Sequence, residues 1–226
     1  MNRQDELIYT ILADCTHGAT DMNQTNLRKI GCRICGKESS FWYYPFIDIQ
    51  KMPWARQKIV SGSFFHRECP FCGTINEFIY PTLYHDRRKK ILLRVSDKKL
   101  PVYQQLPFPV PPPPPPAGRQ YCFRDVAGSR ELAEKIRIFD AGLNDFKIEA
   151  IKLFLQMQYH CFNLNFLCAR DSRLSFCSLL PTSHAEIITV EEQELRKVTD
   201  CFGDDFLYIR SYIRVNLDLI QQILLK

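Results

Sequence analysis

The chain has 226 residues, of which 46% are hydrophobic and 24% charged, a globular composition long enough for one large domain or two small ones. No run approaches the about 20 apolar residues of a membrane-spanning helix, and no signal peptide is recognisable, so we expect a cytoplasmic protein without a membrane partner. The net charge of +5 is too weak for the one-sided basic pattern of a dedicated nucleic-acid-binding domain.

The basic excess lies in the first half of the chain. Residues 1–106 contain 16 Lys and Arg against 10 Asp and Glu, whereas residues 117–226 contain 14 against 15. Residues 1–27 are predicted to form an N-terminal extension, in which residues 7–12 form a short helix. The asymmetry separates a mildly basic front half from a nearly neutral back half.

Two copies of the motif Cys-x-x-Cys-Gly, at residues 32–36 and 69–73, dominate the first half. Each Cys-x-x-Cys turn, called a knuckle below, directs two sulfurs at one point, and the following glycine lets backbone N–H groups face the thiolates. Two knuckles supply four sulfurs, which complete a tetrahedral zinc site with no open position. We therefore predict a zinc-ribbon domain over residues 28–106 with one structural Zn²⁺ per chain. The predicted ligands are Cys32, Cys35, Cys69 and Cys72.

Other uses of these cysteines stay open on the sequence alone. A single Cys-x-x-Cys is also the motif of redox dithiols, although its duplication disfavours that interpretation. Iron takes the same four-sulfur geometry, whereas a disulfide framework needs an oxidising compartment that nothing in the sequence indicates. His66 is an alternative ligand three residues before Cys69, but with four cysteines present we expect it to be exposed or beside the ligands.

The rest of the first half alternates strand and turn patterns around one helix that begins at a proline. The predicted elements are strands over 40–47, 63–68, 74–84 and 91–95, a helix over 53–60 and a turn over 85–90. Pro81 indicates an edge or a bulge in its strand because proline cannot donate to a sheet. The aromatic residues near the first knuckle are expected to form the small core of the ribbon.

A cationic run in the predicted turn raises the hypothesis of nucleic-acid binding, since phosphate contacts need such charges. Aromatic residues nearby offer faces on which bases stack. The simpler interpretation is a solvated hairpin tip. The tentative nucleic-acid-binding residues are Arg33, Arg87, Arg88, Lys89 and Lys90.

Residues 107–118 contain six consecutive prolines and predict a semi-rigid linker between two domains or a long external loop. Consecutive prolines adopt polyproline II at about 3.1 Å per residue, which makes such a segment semi-rigid. The segment lacks the usual flanking charges of a ligand for proline-reading domains. Residues 119–226 are then a separate α+β domain.

The second half begins with an alternating strand and continues with two amphipathic helices joined by a short link. Ser129 is predicted to cap the first helix and Asn144 or Asp145 to start the second. Alternation then returns, which predicts a small antiparallel sheet and further helices. The predicted elements are strands over 121–126, 165–169, 173–179, 185–190 and 206–214, a helix over 191–200 and a last helix after Asn216 or Asp218. The fold class is therefore α+β: an N-terminal zinc ribbon with antiparallel hairpins, joined by a Pro-rich segment to a small α+β domain.

Six further cysteines are not paired at metal-ligand spacing. Most lie among apolar or aromatic neighbours, where a free cysteine behaves as a small core residue. They are Cys15, Cys122, Cys161, Cys168, Cys177 and Cys201. We expect free thiols, and none of them is distinguished as a nucleophile.

Several of these stretches together resemble the CpXC family of zinc-ribbon proteins, over about residues 28–160. They are the two knuckles and the segments 61–65, 80–86 and 132–145. The first knuckle departs from the Cys-Pro-x-Cys of the family name, because Arg33 occupies the proline position. The resemblance implies a zinc-binding, intracellular, bacterial protein, and it implies no established catalytic activity.

Three classes of function follow, and we expect the first: a non-catalytic interaction or regulatory module that docks on a protein partner. Nucleic-acid binding through the ribbon is the alternative. An enzyme is the third, since His85 and Asp86 are an adjacent imidazole and acid, but neighbours on a strand point to opposite faces. No phosphate-binding glycine loop, Gly-x-Ser-x-Gly or His-Glu-x-x-His is present. We expect His85 and Asp86 to fix the hairpin turn instead.

Overall fold

The computed structural model describes residues 27–95, 121–161, 163–179, 185–200, 202–203 and 212–225. The strands are β1 (Leu27–Gly31), β2 (Glu38–Trp42), β3 (Phe46–Asp48), β4 (His66–Glu68), β5 (Ile75–Glu77), β6 (Thr82–Asp86), β7 (Ile91–Val95), β8 (Cys122–Val126), β9 (Asn165–Arg170), β10 (Arg173–Leu179) and β11 (Ala185–Glu191). The helices are α1 (Pro53–Val60), α2 (Ser129–Asp140), α3 (Asp145–Tyr159), α4 (Arg196–Thr199) and α5 (Leu217–Leu224). The predicted α+β class is confirmed. No helix in these described ranges is long and apolar enough to cross a bilayer.

A four-stranded mixed sheet, in the order β3-β6-β7-β8, forms the centre of the molecule. β6 and β7 form an antiparallel hairpin, while β3 and β8 flank it as parallel partners. One face of the sheet packs against α1 and α2, with Leu93 and Ile136 in the same buried cluster. Leu83, Leu92 and Phe123 belong to a second buried cluster. Both sets of side chains are apolar, so the central strands are buried on both faces as expected for a covered sheet.

The central sheet joins the two halves of the chain. β8 follows the Pro-rich segment in sequence, yet it pairs with β7, from Ile91 opposite Cys122 to Val95 opposite Val126. The largest buried cluster likewise contains residues from both sides of that segment. The predicted linker at 107–118 lies outside the described residues, and the predicted division into domains stays a prediction.

Two small hairpins carry the knuckles. β1 pairs with β2 around the first knuckle, and β4 pairs with β5 around the second, each as a two-stranded antiparallel sheet. The predicted strand over 40–47 divides into β2 and β3, because the chain turns at Pro45, which has no N–H to donate. The predicted strand over 74–84 divides in the same way before β6, next to Pro81. Proline thus separates the knuckle hairpins from the central sheet.

The predicted turn at 85–90 is shorter in the structure. His85 and Asp86 complete β6, and the turn itself comprises residues 87–90. Asp86 does fix the turn as predicted, since its Oδ1 accepts the Lys89 backbone N–H at 3.1 Å. The same prediction is wrong for His85, which is buried in the sheet with its Nε2 3.4 Å from the Tyr121 hydroxyl.

The two predicted helices of the second half are confirmed as α2 and α3. Asn144 caps α3 by accepting the Phe146 N–H at 2.9 Å. Ser129 is not a cap: it is the first residue of α2, Gly128 precedes it, and its hydroxyl donates to Glu77 Oε1 at 2.5 Å. That bond fixes the start of α2 against the end of the second knuckle hairpin.

A network of buried charges joins α2 and α3 to β8. Arg124 donates to both carboxylate oxygens of Asp145, at 2.8 and 2.9 Å. Lys135 lies 3.2 Å from Asp145 Oδ2 and 3.3 Å from Glu149 Oε1. Lys152 lies between Glu149 and Glu134, at 3.0 and 3.1 Å. These bonds satisfy the charges that burial removes from water.

The pKa shifts favour the charged forms of Asp145 and Lys135 but oppose the charged form of Glu134. Burial alone would raise the pKa of Asp145, but Lys135 and Arg124 hold it at about 2. Burial alone would lower the pKa of Lys135, and the carboxylates of Asp145 and Glu149 hold it above its ordinary value. Burial raises the pKa of Glu134, with Lys152 acting against it.

The end of the chain contains the second sheet, in the order β11-β10-β9, as the alternating pattern predicted. The helix predicted over 191–200 is a 3₁₀ turn over Glu192–Leu195 followed by the short α4. Most of the predicted strand over 206–214 lies outside the described residues, but Ile213 forms an isolated bridge with Arg124. Asn216 caps α5 by accepting the Leu219 N–H at 3.1 Å. The helix predicted over 7–12 also lies outside the described residues.

Candidate metal centre

The two knuckle hairpins bring four sulfurs together. The Sγ atoms of Cys32, Cys35, Cys69 and Cys72 all lie within 4.8 Å of one another. The cross-knuckle pairs Cys32–Cys72 and Cys35–Cys69 are each separated by 3.7 Å. A tetrahedron with Zn–S bonds of about 2.3 Å has edges of about 3.8 Å. The donor set therefore fits one tetrahedral, thiophilic cation, which these four cysteines would hold.

The two knuckles repeat the same backbone turn. In the first, Cys32 N–H donates to Lys37 O and Gly36 N–H to Cys32 O, at 3.0 and 2.9 Å. In the second, Cys69 N–H donates to Thr74 O and Gly73 N–H to Cys69 O, both at 2.9 Å. Gly36 and Gly73 have φ of +70° and +72°, a region that favours glycine. The glycine of the motif is thus required by the turn that aims the sulfurs.

Hydrogen-bond donors surround two of the sulfurs. The Ile34 N–H lies 3.5 Å from Cys32 Sγ, and Asn76 Nδ2 lies at the same distance. The backbone N–H groups of Cys35 and Ile34 lower the pKa of Cys32 to about 6. The Thr74 hydroxyl, 3.3 Å from Cys72 Sγ, lowers the pKa of Cys72. These contacts favour thiolates, the form that binds metal.

The remaining thiols differ in environment. The backbone N–H of Lys37 acts to lower the pKa of Cys35, but burial and the neighbouring sulfurs outweigh it and raise the pKa to about 11. A metal ion removes this conflict, because its charge stabilises all four thiolates together. Cys32 and Cys69 are buried, whereas Cys35 and Cys72 reach the surface. The site therefore lies at the edge of the molecule.

Asn76 is a residue of this site that the sequence did not single out. It is buried on β5, and its side chain crosses from the second knuckle hairpin to the first. Its Oδ1 accepts the Arg33 N–H at 3.1 Å, while Nδ2 donates to Thr74 O at 3.0 Å. The one signal in the sequence is an asparagine inside a predicted strand, where asparagine is disfavoured.

The alternative ligand His66 is exposed on β4 and is not a member of the four-residue ligand cluster found within the described residues. Of the two settings predicted for His66, exposed or beside the ligands, the structure shows that its side chain is exposed. His85, the other histidine considered, is buried, and burial lowers its pKa to about 4. Asp86 accepts from Gln50 Nε2 at 3.2 Å and from Lys89 N–H. His85 therefore contacts Tyr121, whereas Asp86 contacts Gln50 and Lys89.

The tentative nucleic-acid-binding residues fall in two places. Arg33 lies in the first knuckle, whereas the other four form the β6–β7 turn. Within that turn, Arg87 forms an ion pair with Asp48, and Lys89 with Asp140. Arg88 and Lys90 are exposed. The run is therefore not simply a solvated tip, because two of its four cations bind carboxylates of the protein.

The further cysteines that the structure describes are free thiols. Cys122 and Cys161 are buried, and burial raises the pKa of Cys122 to about 12. Cys168 and Cys177 are partly buried on β9 and β10. Cys15 and Cys201 lie outside the described residues. The burial of Cys122 and Cys161 agrees with the prediction that these cysteines behave as small core residues.

Comparison with known proteins bears on the same region. The family model described as "CpXC protein" matches residues 30–152, which is more than half of the chain. The chain belongs to the CpXC family. The match includes both knuckles, the central sheet and α2, so the ligand set of this CpXC protein lies within the family region. No curated protein and no solved structure matches the chain.

Proposed function

We propose that this CpXC protein binds one zinc ion through Cys32, Cys35, Cys69 and Cys72, and that the ion has a structural role. The convergence of four sulfurs within 4.8 Å is the observation that supports the proposal. We take zinc as the ion because Cys₄ sites of this kind are typical of structural zinc ribbons, and elemental analysis distinguishes it from iron, which takes the same four-sulfur geometry. We place the protein in the cytoplasm, where thiols stay reduced.

The protein acts, in this proposal, as a non-catalytic interaction module. Four cysteine ligands close a tetrahedral site and leave no position for a substrate or water. The ion instead stabilises two hairpins, whose two-stranded sheets are marginal on their own. The role of the ion is then to maintain the conformation of the surface that the two hairpins form.

The surface that the ion would hold contains exposed apolar residues, and we propose that it contacts a protein partner. Ile34 and Phe71, at the variable positions of the two knuckles, are 73% and 54% exposed. Ile75 and Trp42, on the hairpins behind them, are also exposed. Large exposed apolar side chains on neighbouring hairpins are a common mark of protein–protein contact. We call these four residues the knuckle face.

A capture experiment tests the role of the knuckle face. Tagged wild-type protein, an Ile34→Ser/Phe71→Ser variant and a Met157→Ser/Ile187→Ser variant are used on extracts of the native cell. Met157 and Ile187 are 71% and 69% exposed and lie away from the knuckles, so their variant is a matched control. The proposal predicts a protein recovered with wild type and control and lost with the knuckle variant. Recovery that does not distinguish the variants contradicts it.

Nucleic-acid binding is the second candidate, and it is favoured by the exposed cation Arg33 in the first knuckle together with the exposed aromatic Phe71 in the second. It ranks below the first because Arg87 is paired with Asp48, and Lys89 is paired with Asp140, which it shares with Arg56. Binding of this kind weakens steeply as salt rises. A titration of mixed RNA and DNA at low salt that gives no complex eliminates this candidate and leaves the first.

A further inference from the structure

Asn76 connects the two knuckles through a side chain whose orientation is fixed. Its Oδ1 faces a donor, the Arg33 N–H at 3.1 Å, and its Nδ2 faces an acceptor, Thr74 O at 3.0 Å. A flipped amide would place donor against donor and acceptor against acceptor. The Arg33 N–H and Thr74 O therefore determine the positions of the oxygen and the nitrogen of the Asn76 amide.

This orientation leaves the second N–H of the amide for Cys32. Asn76 Nδ2 lies 3.5 Å from Cys32 Sγ, within the range of an N–H···S bond. Asn76 is buried, so water does not compete well for that hydrogen. A metal-bound thiolate has no proton to donate, and it accepts from Nδ2.

The Asn76 side chain also contacts the backbone of both knuckle hairpins. Thr74 O accepts a hydrogen bond from Asn76 Nδ2. It also accepts the Cys69 N–H bond that closes the second knuckle. Arg33, which donates to Asn76 Oδ1, is the residue after Cys32 in the first knuckle. One side chain on β5 thus fixes the position of the first knuckle relative to the second.

We propose that Asn76 is a positioning residue for the metal: it holds the two knuckles at the separation the ion needs and tunes the Cys32 thiolate through its N–H. This inference rests on the proposed zinc site. Groups that hydrogen-bond to metal ligands commonly contribute 10- to 100-fold to metal affinity. Hydrogen bonds to sulfur also set the electronic properties of the bound metal.

The test compares wild type with Asn76→Ala and Asn76→Asp. Asn76→Asp keeps the shape and the acceptor for Arg33 N–H, but it removes both donors. Asn144→Ala is the matched control, since it removes an asparagine that caps α3 and costs stability without touching the cysteines. Two quantities are measured: the rate of zinc transfer to a chromophoric chelator, and the sulfur-to-metal charge-transfer band of the Co²⁺-substituted protein.

The inference predicts that both Asn76 variants release zinc about 10- to 100-fold faster than wild type. It also predicts that their charge-transfer band moves to lower energy, because a thiolate without its N–H donor gives up electron density more easily. Asn144→Ala leaves the band unchanged. If Asn76→Ala does not fold, Asn76→Asp supplies the same comparison.

The outcomes separate the two proposals. A wild-type protein that holds stoichiometric zinc, with Asn76 variants that match it in release rate and band position, overturns the role of Asn76 alone. An equal shift of the band in Asn144→Ala assigns the effect to general destabilisation and also overturns it. A wild-type protein that binds no metal overturns the proposed function and this inference with it.

Discussion

His85 is the histidine whose environment has the clearest consequence. It is buried on β6 beside Tyr121, and burial lowers its pKa from 6.5 to about 4. Between these two values the unfolded chain binds a proton that the folded protein does not. The free energy of unfolding therefore falls as pH drops from about 6.5 to 4 and does not change further through His85 below that. The shift corresponds to about 3 kcal/mol at most.

We predict that His85→Gln loses this part of the acid sensitivity. Urea midpoints at pH 7.5 and 4.5 would be measured for wild type, His85→Gln and His66→Gln. His66 is exposed on β4, so His66→Gln is the matched control for the loss of one histidine. Acid also protonates the cysteines, but equally in all three proteins, so the difference between variants isolates His85. An unchanged pH dependence in His85→Gln would contradict the assignment.

Residues at the metal centre divide into those that the sequence revealed and those that it did not. The cysteines and the glycines at positive φ were predictable, because a knuckle is a local turn whose residues are adjacent in sequence. Asn76 was not, because its contact with Cys32 depends on how two separate hairpins pack. The metal ligands follow from spacing, whereas their supporting contacts follow from tertiary structure.

At the scale of elements, α2 and α3 are held by charges as well as by an apolar face. Lys152 on α3 contacts Glu149 at 3.0 Å and Glu134 on α2 at 3.1 Å, and all three are buried. The helical pattern predicted an apolar face on each helix, and Ile136 on α2 and Ile151 on α3 are buried. It gave no sign that charged residues on the other faces are also buried, since charges in a helical pattern are usually solvated.

We predict that Lys152→Met destabilises the protein by about 3–5 kcal/mol, because the buried Glu134 carboxylate loses its ammonium partner and Glu149 keeps only Lys135. The measurement is the shift of the chemical denaturation midpoint. Lys147→Met is the control on the same helix, since Lys147 is only partly buried and lies outside this network. Adding Glu134→Gln to Lys152→Met should recover part of the loss, because one unpaired charge disappears. A loss below about 1 kcal/mol would show that the network is not important for stability.

The elements themselves were predicted unevenly, for reasons of sequence distance. The hairpin of β9 and β10 was predictable because its strands alternate and its turn is short. The pairing of β8 with β7 was not, because it joins strands separated by the whole Pro-rich segment. A proline run reads as a boundary in sequence, but it does not prevent the flanking strands from meeting in one sheet.

For the whole molecule, we expect the proposed metal and the central sheet to stabilise different regions. The knuckle hairpins have two strands each, whereas β6, β7 and β8 lie in a four-stranded sheet covered by buried clusters. If the proposed zinc supplies folding energy to the hairpins, its removal should affect them first.

Hydrogen exchange before and after chelation checks this expectation. We predict that backbone amides of β1, β2, β4 and β5 lose protection after zinc is removed, while those of β6, β7 and β8 keep it. A variant with all four metal-ligand cysteines changed to serine is the matched reference for the metal-free state. Loss of protection in the central sheet to the same degree would mean that metal and sheet form one cooperative unit. No change in the hairpins would argue against a structural metal.

The most direct measurement is the metal content of the purified protein. Elemental analysis is run on the wild type and on the variant in which Cys32, Cys35, Cys69 and Cys72 are all serine. A closed four-sulfur site predicts about one zinc per wild-type chain and none in the variant. A wild-type protein without bound metal, or a variant that keeps it, would contradict the proposal that these four cysteines form the metal site.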